Sequence, residues 1–355
     1  MANSSALEII PTSATCKFVG EGRANLVFTL ADVDNYPNLR GQLLRVPKQN
    51  YKALPYADIQ HYWQNRVSPL FKPSELVQQR LVRLPSDPAF FRRLNHQLRK
   101  LDDSGTRRPD FVGHGVSEDV RVGMLVEDMR GGGNSHSRSA ATHLATSMHE
   151  IKPKWLIQSP RAPRGAEQCR NCAREVWRNM KNKTKNPIFC PLNLVKAADF
   201  PHDENVARDI AADLRRCYNM TEHEARNLTT WLRSCELFQR LRRIQWDNDH
   251  TSQITNDEAY SLAMTLRDCS LFVLVPSTPN APPDQVIAKL GDTDMKNFAV
   301  KKDYWIKMEK EFHDSGVYWN TDKLSISITD CQLPFYRSRR EVLAGTELGR
   351  YYPAV

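Results

Sequence analysis

Residues 268–292 read DCSLFVLVPSTPNAPPDQVIAKLGD. Two apolar runs, LFVLV at 271–275 and VIAKL at 286–290, flank a proline-rich polar loop. Short β-branched runs bounded by turn residues predict strands, and the loop folds the second back on the first as a hairpin. The open end of that hairpin holds residues 270 and 291. Asp268 precedes the first strand and Asp292 follows the second, so pairing brings two carboxylates 24 positions apart to one sheet edge. Two carboxylates beside a polyphosphate suit magnesium-assisted phosphoryl transfer, one holding the metal and one orienting and deprotonating a hydroxyl. Plain turn caps use the same residue type, and spacing alone leaves both readings open. Asp292-Thr-Asp294 lacks the glycine and glutamate that a calcium loop needs at its sixth and twelfth positions, so it is not one.

Upstream, residues 149–155 read HEIKPKW. Proline fixes φ near about −65° and forces the residue before it into an extended conformation. Lys152 is therefore extended and Lys154 follows at the strand repeat, so both ammonium groups point the same way. That spacing suits a ligand with several negative groups, and equally a solvated loop. A basic helix is expected over about 166–182, where Arg170, Arg174 and Arg178 recur every four residues and Lys181 and Lys185 prolong the stripe. Between Arg164 and Lys185 there are seven cations against two carboxylates. An anionic ligand would relieve that repulsion; a solvated basic face is the alternative. Cys169-x-x-Cys172 has no second Cys/His pair at zinc spacing, since Cys190 and His202 make no recognisable pattern. Buried or incidental cysteines are the expectation.

Cys16 to Lys48 predicts a three-strand antiparallel unit: CKFVG, the turn EGRA, NLVFTL, a polar loop, then QLLRVPK. The turn Gly20-Glu-Gly22-Arg23-Ala24-Asn25 could let backbone N–H groups approach phosphate oxygens, though glycine in a hairpin turn is common. Arg45 on the third strand is a cation in reach of such phosphates. Residues 56–101 look mainly helical, and GMLVEDM at 123–129 is a buried strand ending in Glu127 and Asp128. RGGGNSHSRSAATH at 130–143 is loop-like, which sets a lobe boundary near residue 130, with lobes 1–130 and 131–355. Further helices are expected at DENVARDIAADLRRCY, in a longer stretch opened by the capping box Thr221-Glu-His-Glu224, at DEAYSLAMTLR, and at DYWIKMEKEFHDSGVYW.

The bulk numbers set the frame. The 355 residues are 26% charged and 40% hydrophobic, an ordinary globular balance, and the net charge of +9 favours a polyanionic partner. Eight scattered cysteines show no disulfide framework, MANSSALEII lacks a secretory signal, and no apolar run approaches the ~20 residues of a spanning helix. A soluble intracellular protein in a reducing compartment is the expectation.

GEGRANLVF, LLRVPK, GMLVEDM, HEIKPKW, CRNCAREVW, TLRDCSLFVLV and AKLGDTDMKN occur in that order. Together they resemble the inositol-pentakisphosphate 2-kinase family, most like its compact fungal members, across roughly residues 16–305. The resemblance implies an α+β, two-lobe fold related to protein kinases and other inositol phosphate kinases, with an antiparallel-sheet N-lobe and a larger mixed C-lobe. It implies transfer of the γ-phosphoryl group of ATP to the 2-hydroxyl of inositol 1,3,4,5,6-pentakisphosphate, giving the hexakisphosphate.

By position in the motifs, Gly20, Gly22, Arg23, Ala24 and Asn25 would close over the ATP phosphates and Arg45 would reach them. Glu127 and Asp128 would meet adenine and ribose. Lys152, Lys154, Arg170, Arg174, Arg178, Lys296 and Tyr304 would hold inositol phosphates. Asp268 would be the catalytic carboxylate, helped by Lys152, and Asp292 with Asp268 would hold Mg2+. Arg174 stands where the family often has histidine, keeping a cation and adding a bidentate grip. The His/Cys zinc site of plant members has no counterpart, so no structural zinc is expected. No nucleic acid or membrane is required, a monomer is expected, and residence is nuclear or cytoplasmic. The rival is a non-catalytic kinase-like scaffold binding RNA or anionic lipid through its basic face. The acidic pair and the scarcity of clustered exposed aromatics argue against it.

Overall fold

In the computed structural model the described residues are 7–49, 54–130, 145–251, 253–254, 258–319 and 330–352. The chain divides into two compact units, Met1–Thr142 and His143–Val355, where the sequence suggested a boundary near residue 130. Of the glycine- and serine-rich stretch at 130–143, all but Arg130 lies outside the described residues. The fold is mixed α+β, and both sheets are antiparallel.

In the first unit, β1 (Thr15–Glu21), β2 (Asn25–Ala31) and β3 (Gln42–Pro47) form the expected meander, followed by α1 (Tyr56–Tyr62), β4 (Gln79–Arg83), α2 (Pro88–Asp103) and β5 (Val122–Glu127). The sheet order is β1-β2-β3-β5-β4. Alternation puts Leu26, Phe28, Leu44, Val82 and Leu125 on one face, where they share a core with Phe90, Phe91, Leu94 and Leu98 of α2. Those four recur at helical spacing on one stripe. Asp87 starts α2 by accepting a hydrogen bond from the Ala89 N–H at 2.8 Å, with Pro88 in the first turn.

The mainly helical reading of 56–101 holds for α1, the turns after it and α2, but it misses the strand β4. After α1 the chain makes one π-helical turn, Trp63–Val67, and two short 3-10 turns before entering strand β4. β4 is a short edge strand carrying Arg80 and Arg83, and its strand character comes from pairing with β5, Gln79 opposite Val126.

The second unit holds β6 (Thr146–Ile151), α3 (Arg170–Asn182), α4 (Asn193–Asp199), α5 (Glu204–Tyr218), α6 (Glu222–Arg233), α7 (Glu236–Asn248), α8 (Glu258–Asp268), β7 (Ser270–Pro276), β8 (Ile287–Gly291) and α9 (Phe298–Asp314). Three short helices follow: α10 (Leu333–Ser338), α11 (Arg340–Leu343) and α12 (Glu347–Tyr351). The capping box forms: Thr221 N–H donates to Glu224 Oε2 at 2.9 Å and Glu224 N–H to Thr221 Oγ1 at 3.3 Å. The long helix expected from it is two, α6 and α7, broken at Ser234 and Cys235 so that Leu232 and then Leu237 and Phe238 are all buried. No glycine or proline marks the break, so packing sets it. The second core joins α3 to the last helices through Val176, Phe312, Leu333, Tyr336 and Tyr351. Among the described residues no helix is long and apolar enough to cross a membrane.

Candidate functional site

The hairpin forms in the expected register. β7 pairs with β8, Ser270 opposite Gly291 and Leu271 opposite Leu290. On its other edge β7 pairs with β6, Ile151 opposite Leu271. Lys152, Ser270 and Gly291 therefore end three adjacent strands together, with Asp268 and Asp292 one or two residues beyond. The side chains meet there. Lys152 Nζ lies 3.2 Å from Asp292 Oδ2 and 3.4 Å from Glu150 Oε1, and it also donates to Ser270 Oγ. Ser270 Oγ in turn donates to Glu150 Oε1 at 2.7 Å. Lys154 Nζ lies 3.2 Å from Asp268 Oδ1, and Lys296 Nζ lies 2.8 Å from Asp268 Oδ2.

Lys154 does not continue the strand repeat. It has φ +53°, and Asp292 has φ +54°, so both occupy the left-handed region. β-Strand alternation is thus not what aims the two ammonium groups. Buried Gln245 of α7 holds the segment: its amide N–H donates to Lys154 C=O at 2.7 Å and to Leu266 C=O at 3.3 Å. Its oxygen accepts from Leu156 N–H at 3.0 Å. One side chain thus ties the lysine segment to the end of α8, two residues before Asp268. Glu150, Ser270 and Gln245 were not singled out from sequence. The strand register exposes the first two, and nothing local marks the third.

The electrostatics follow from this packing. Burial pushes the Asp268 carboxyl up, but Lys296 and Lys154 outweigh it and hold Asp268 well below the usual carboxylate range. Burial pushes Lys152 down, yet Asp292 and Glu150 hold it above its usual value. Lys296 behaves alike, through Asp268 and Asp292. Lys154 goes the other way: burial, with Arg174 and Lys152 nearby, outweighs Asp268 and lowers it. A dianionic group settling among these cations would relieve that repulsion.

The arginines of α3 divide. Arg174 is close enough to depress Lys154 and bonds Glu175 Oε1 at 2.6 Å. Arg178 is half-exposed and bonds the other oxygen of Glu175 at 2.9 Å. Arg170 is paired with Glu309 of α9 and stacks 5.4 Å from the Phe312 ring centre. Tyr304 is exposed on α9, with Lys301 Nζ 6.0 Å from its ring centre.

In the first unit, the turn between β1 and β2 closes through Gly22 N–H to Asn25 C=O at 3.0 Å, and Lys48 N–H donates to Ala24 C=O at 2.8 Å. Neither Gly20 nor Gly22 has positive φ, and a Cβ on either would meet nothing within 4 Å. The backbone therefore does not itself require glycine at these two positions. Glu21 between them points inward, to Lys48 Nζ and Arg107 Nη2, both at 2.7 Å. Arg45 is buried on β3 beneath the turn. With the Asn25 carboxamide oxygen turned toward it, Arg45 donates from Nη2 at 2.5 Å and Nε at 3.2 Å, while the amide nitrogen reaches Tyr56 Oη at 2.8 Å. At the end of β5, Glu127 Oε2 accepts from Gln78 N–H at 3.2 Å, and Asp128 is held below its usual range, against its burial, by Arg130 at 2.6 Å. Arg23 and Ala24 form the tip of the turn.

The expectation of no structural zinc needs correcting in its premise. Cys169 and Cys172 do have a second pair, Cys190 and Cys331, and all four sulfurs lie within 4.8 Å of one another. Cys331 comes from the far end of the chain, so no local spacing announces it.

Comparison with known proteins gives two findings. A family model described as inositol-pentakisphosphate 2-kinase matches residues 18–255 and 237–311. A Yarrowia lipolytica protein named inositol-pentakisphosphate 2-kinase is 32% identical over 174 residues, which is 48% of this chain and 53% of that protein. The match spans about half the length of the curated relative.

Proposed function

The chain belongs to the inositol-pentakisphosphate 2-kinase family, and from that premise we propose that it transfers the γ-phosphoryl group of ATP to the 2-hydroxyl of inositol 1,3,4,5,6-pentakisphosphate. The single observation carrying this reading is the seat of Asp268, with Lys154 Nζ at 3.2 Å on one carboxylate oxygen and Lys296 Nζ at 2.8 Å on the other. An ammonium has three donors. One bond to Asp268 leaves each lysine two for phosphate oxygens. The 2-hydroxyl of this substrate stands between phosphates on its two neighbouring carbons, so a carboxylate flanked by two phosphate-binding cations is complementary to it. Lys152 and Arg174 add further charge for the remaining phosphates.

In this reading the first unit is a kinase-like N-lobe and the second a kinase-like C-lobe. Gly20, Gly22, Arg23, Ala24 and Asn25 cover the nucleotide phosphates, Arg45 reaches them, and Glu127 with Asp128 meets the adenosine. The glycines there fit a close ligand approach, since the turn's own geometry admits a Cβ. Asp292, with Asp268, is the oxygen-only donor set that would hold Mg2+, and its half-exposed carboxylate leaves room for phosphate oxygens. Bound magnesium would offset charge on the nucleotide phosphates.

Asp268 aligns the hydroxyl, whose oxygen bonds to the γ-phosphorus as the bond to the ADP oxygen breaks. The carboxyl takes the proton late, because a carboxylate held so far below its usual range is a weak base in the ground state. Lysines drawn toward substrate phosphates release part of that hold and raise its basicity. Lys152, beside Asp292, balances charge on the transferring group.

The test is product analysis after incubation with ATP, magnesium and a panel of inositol phosphates. ADP should form with the pentakisphosphate that lacks only the 2-phosphate, and hexakisphosphate should appear with it. ADP formation indifferent to that acceptor would sink the reading. Asp268→Asn should cut kcat by at least about 100-fold while leaving ATP affinity intact; near-normal turnover would remove Asp268 from its role.

A further inference from the structure

The four-cysteine cluster lies outside the carboxylate–lysine site and takes no part in the reaction just described. Its members come from three distant segments: Cys169 caps the N-terminus of α3 and Cys172 sits in its first turn, Cys190 precedes α4, and Cys331 precedes α10. Cys169, Cys172 and Cys190 are each no more than 1% exposed, and Cys331 is partly buried.

The sulfurs converge. Cys169 Sγ is 3.9 Å from Cys190 Sγ, and the four span no more than 4.8 Å. A tetrahedral metal with sulfur bonds of about 2.3 Å sets its ligands about 3.8 Å apart. A disulfide needs about 2.05 Å, and all four thiols are free. Thiolates of a four-iron cluster bind different irons and stand farther apart than these sulfurs. Three backbone N–H groups point at the sulfurs: Cys169 N–H to Cys331 Sγ at 3.1 Å, Gln332 N–H to Cys190 Sγ at 3.4 Å, and Cys172 N–H to Cys169 Sγ at 3.5 Å. Such donors offset thiolate charge around a bound ion. Lys196 lies near enough to Cys190, and Arg337 to Cys331, for their charges to interact. Both cations are within electrostatic reach of the sulfurs and would offset part of the net double negative charge of zinc held by four thiolates. Ordinary burial accounts for single cysteines in a core, but not for four sulfurs meeting at one point with donors aimed at them.

We propose that this chain binds one zinc ion through Cys169, Cys172, Cys190 and Cys331, and that the ion fastens the C-terminal segment 330–352 to the start of α3. Its role is structural. With four protein ligands the coordination shell is closed and no position is left for a reacting water. Since α3 carries Arg174 and Arg178, zinc loading also fixes the helix from which those arginines extend.

The experiment uses the full chain, purified without chelator and without a metal-affinity tag. Elemental analysis should find about one zinc per chain, and mercurial titration should release it as four thiols react. Cobalt(II) substitution of the wild-type protein should give the visible absorption of a tetrahedral all-sulfur site, a readout that needs no variant. Cys331→Ser should lower zinc content to well under half and open the C-terminal segment to limited proteolysis. Cys16→Ser and Cys269→Ser, both outside the cluster, should leave zinc content unchanged. A folded wild-type chain carrying no zinc, carrying iron in its place, or holding a disulfide among these four would overturn the assignment. None of these outcomes depends on whether the chain phosphorylates an inositol phosphate, so the two readings fail separately.

Discussion

Lys154 and Asp292 are side-chain-bearing residues in the left-handed region, at φ +53° and +54°, and both belong to the ammonium–carboxylate cluster. A conformation of that kind costs on the order of 1 kcal/mol or more, and the surroundings must impose it. At Lys154 the imposing group is Gln245, whose three hydrogen bonds run to Lys154, Leu156 and Leu266. Gln245→Leu leaves those buried backbone groups unpaired and should lower stability by about 1–3 kcal/mol. It should also raise KM for the inositol phosphate with KM for ATP unchanged. Urea melts and steady-state kinetics check both, and equal effects on the two KM values would deny Gln245 this positioning role. The turn glycines predict the reverse pattern. Gly22→Ala meets no atom within 4 Å, so the melting temperature should hold while KM for ATP rises; a destabilised variant with normal ATP kinetics would make the glycine structural.

At the scale of elements, α3 carries two kinds of arginine that the sequence stripe does not separate. Arg170 is committed to Glu309 and to the Phe312 face, which tethers α3 to α9. Arg170→Ala strands the Glu309 carboxylate and should cost about 3 kcal/mol of stability. Arg178→Ala, at a half-exposed position of α3, should leave the melt unchanged and weaken only inositol phosphate binding. Equal melts for the two variants would contradict the division. The difference was not legible because periodicity reports which residues share a face, not what covers it. The β7–β8 hairpin was legible for the opposite reason: dense β-branched runs and a turn-rich loop fix the register locally, and the register alone delivers Asp268 and Asp292. β4 is not legible locally because an edge strand carrying two arginines resembles a polar helix face until β5 pairs with it. The break between α6 and α7, the reach of Gln245, and the meeting of Cys331 with Cys169 depend on contacts far apart in sequence, for which a single chain of letters carries no local mark.

At the scale of the whole molecule, a net charge of +9 and a half-buried group of lysines make stability depend on pH and on anions together. Burial pushes Glu224 up, but hydrogen bonds from Ser147, Ser277 and the Thr221 backbone hold it at about 2 against an ordinary 4.5. A carboxyl lower in the folded than in the unfolded chain stabilises above its unfolded value, and loses that contribution as pH falls from about 4.5 toward 2. His149 beside it is lowered by burial, so the unfolded chain takes up that proton first and the loss begins below its ordinary 6.5. Melts across this range should therefore show stability falling with acid, and Glu224→Gln should be less stable at neutral pH yet show a shallower acid decline. Parallel curves would remove Glu224 as the cause. On the alkaline side Lys154 is the first of the cluster to lose its proton, because its value is lowered while those of Lys152 and Lys296 are raised. Inositol phosphate affinity should weaken as pH rises through that deprotonation, and Lys154→Arg, which keeps its charge, should flatten the limb. Ligand at about 100 times its Kd adds roughly 2.7 kcal/mol of stability, and this gain should shrink in high salt, where screening shortens to about 3 Å at 1 M. A stabilisation indifferent to salt and unchanged by Lys154→Arg would mean that the polyanion sits away from the end of the three-stranded sheet.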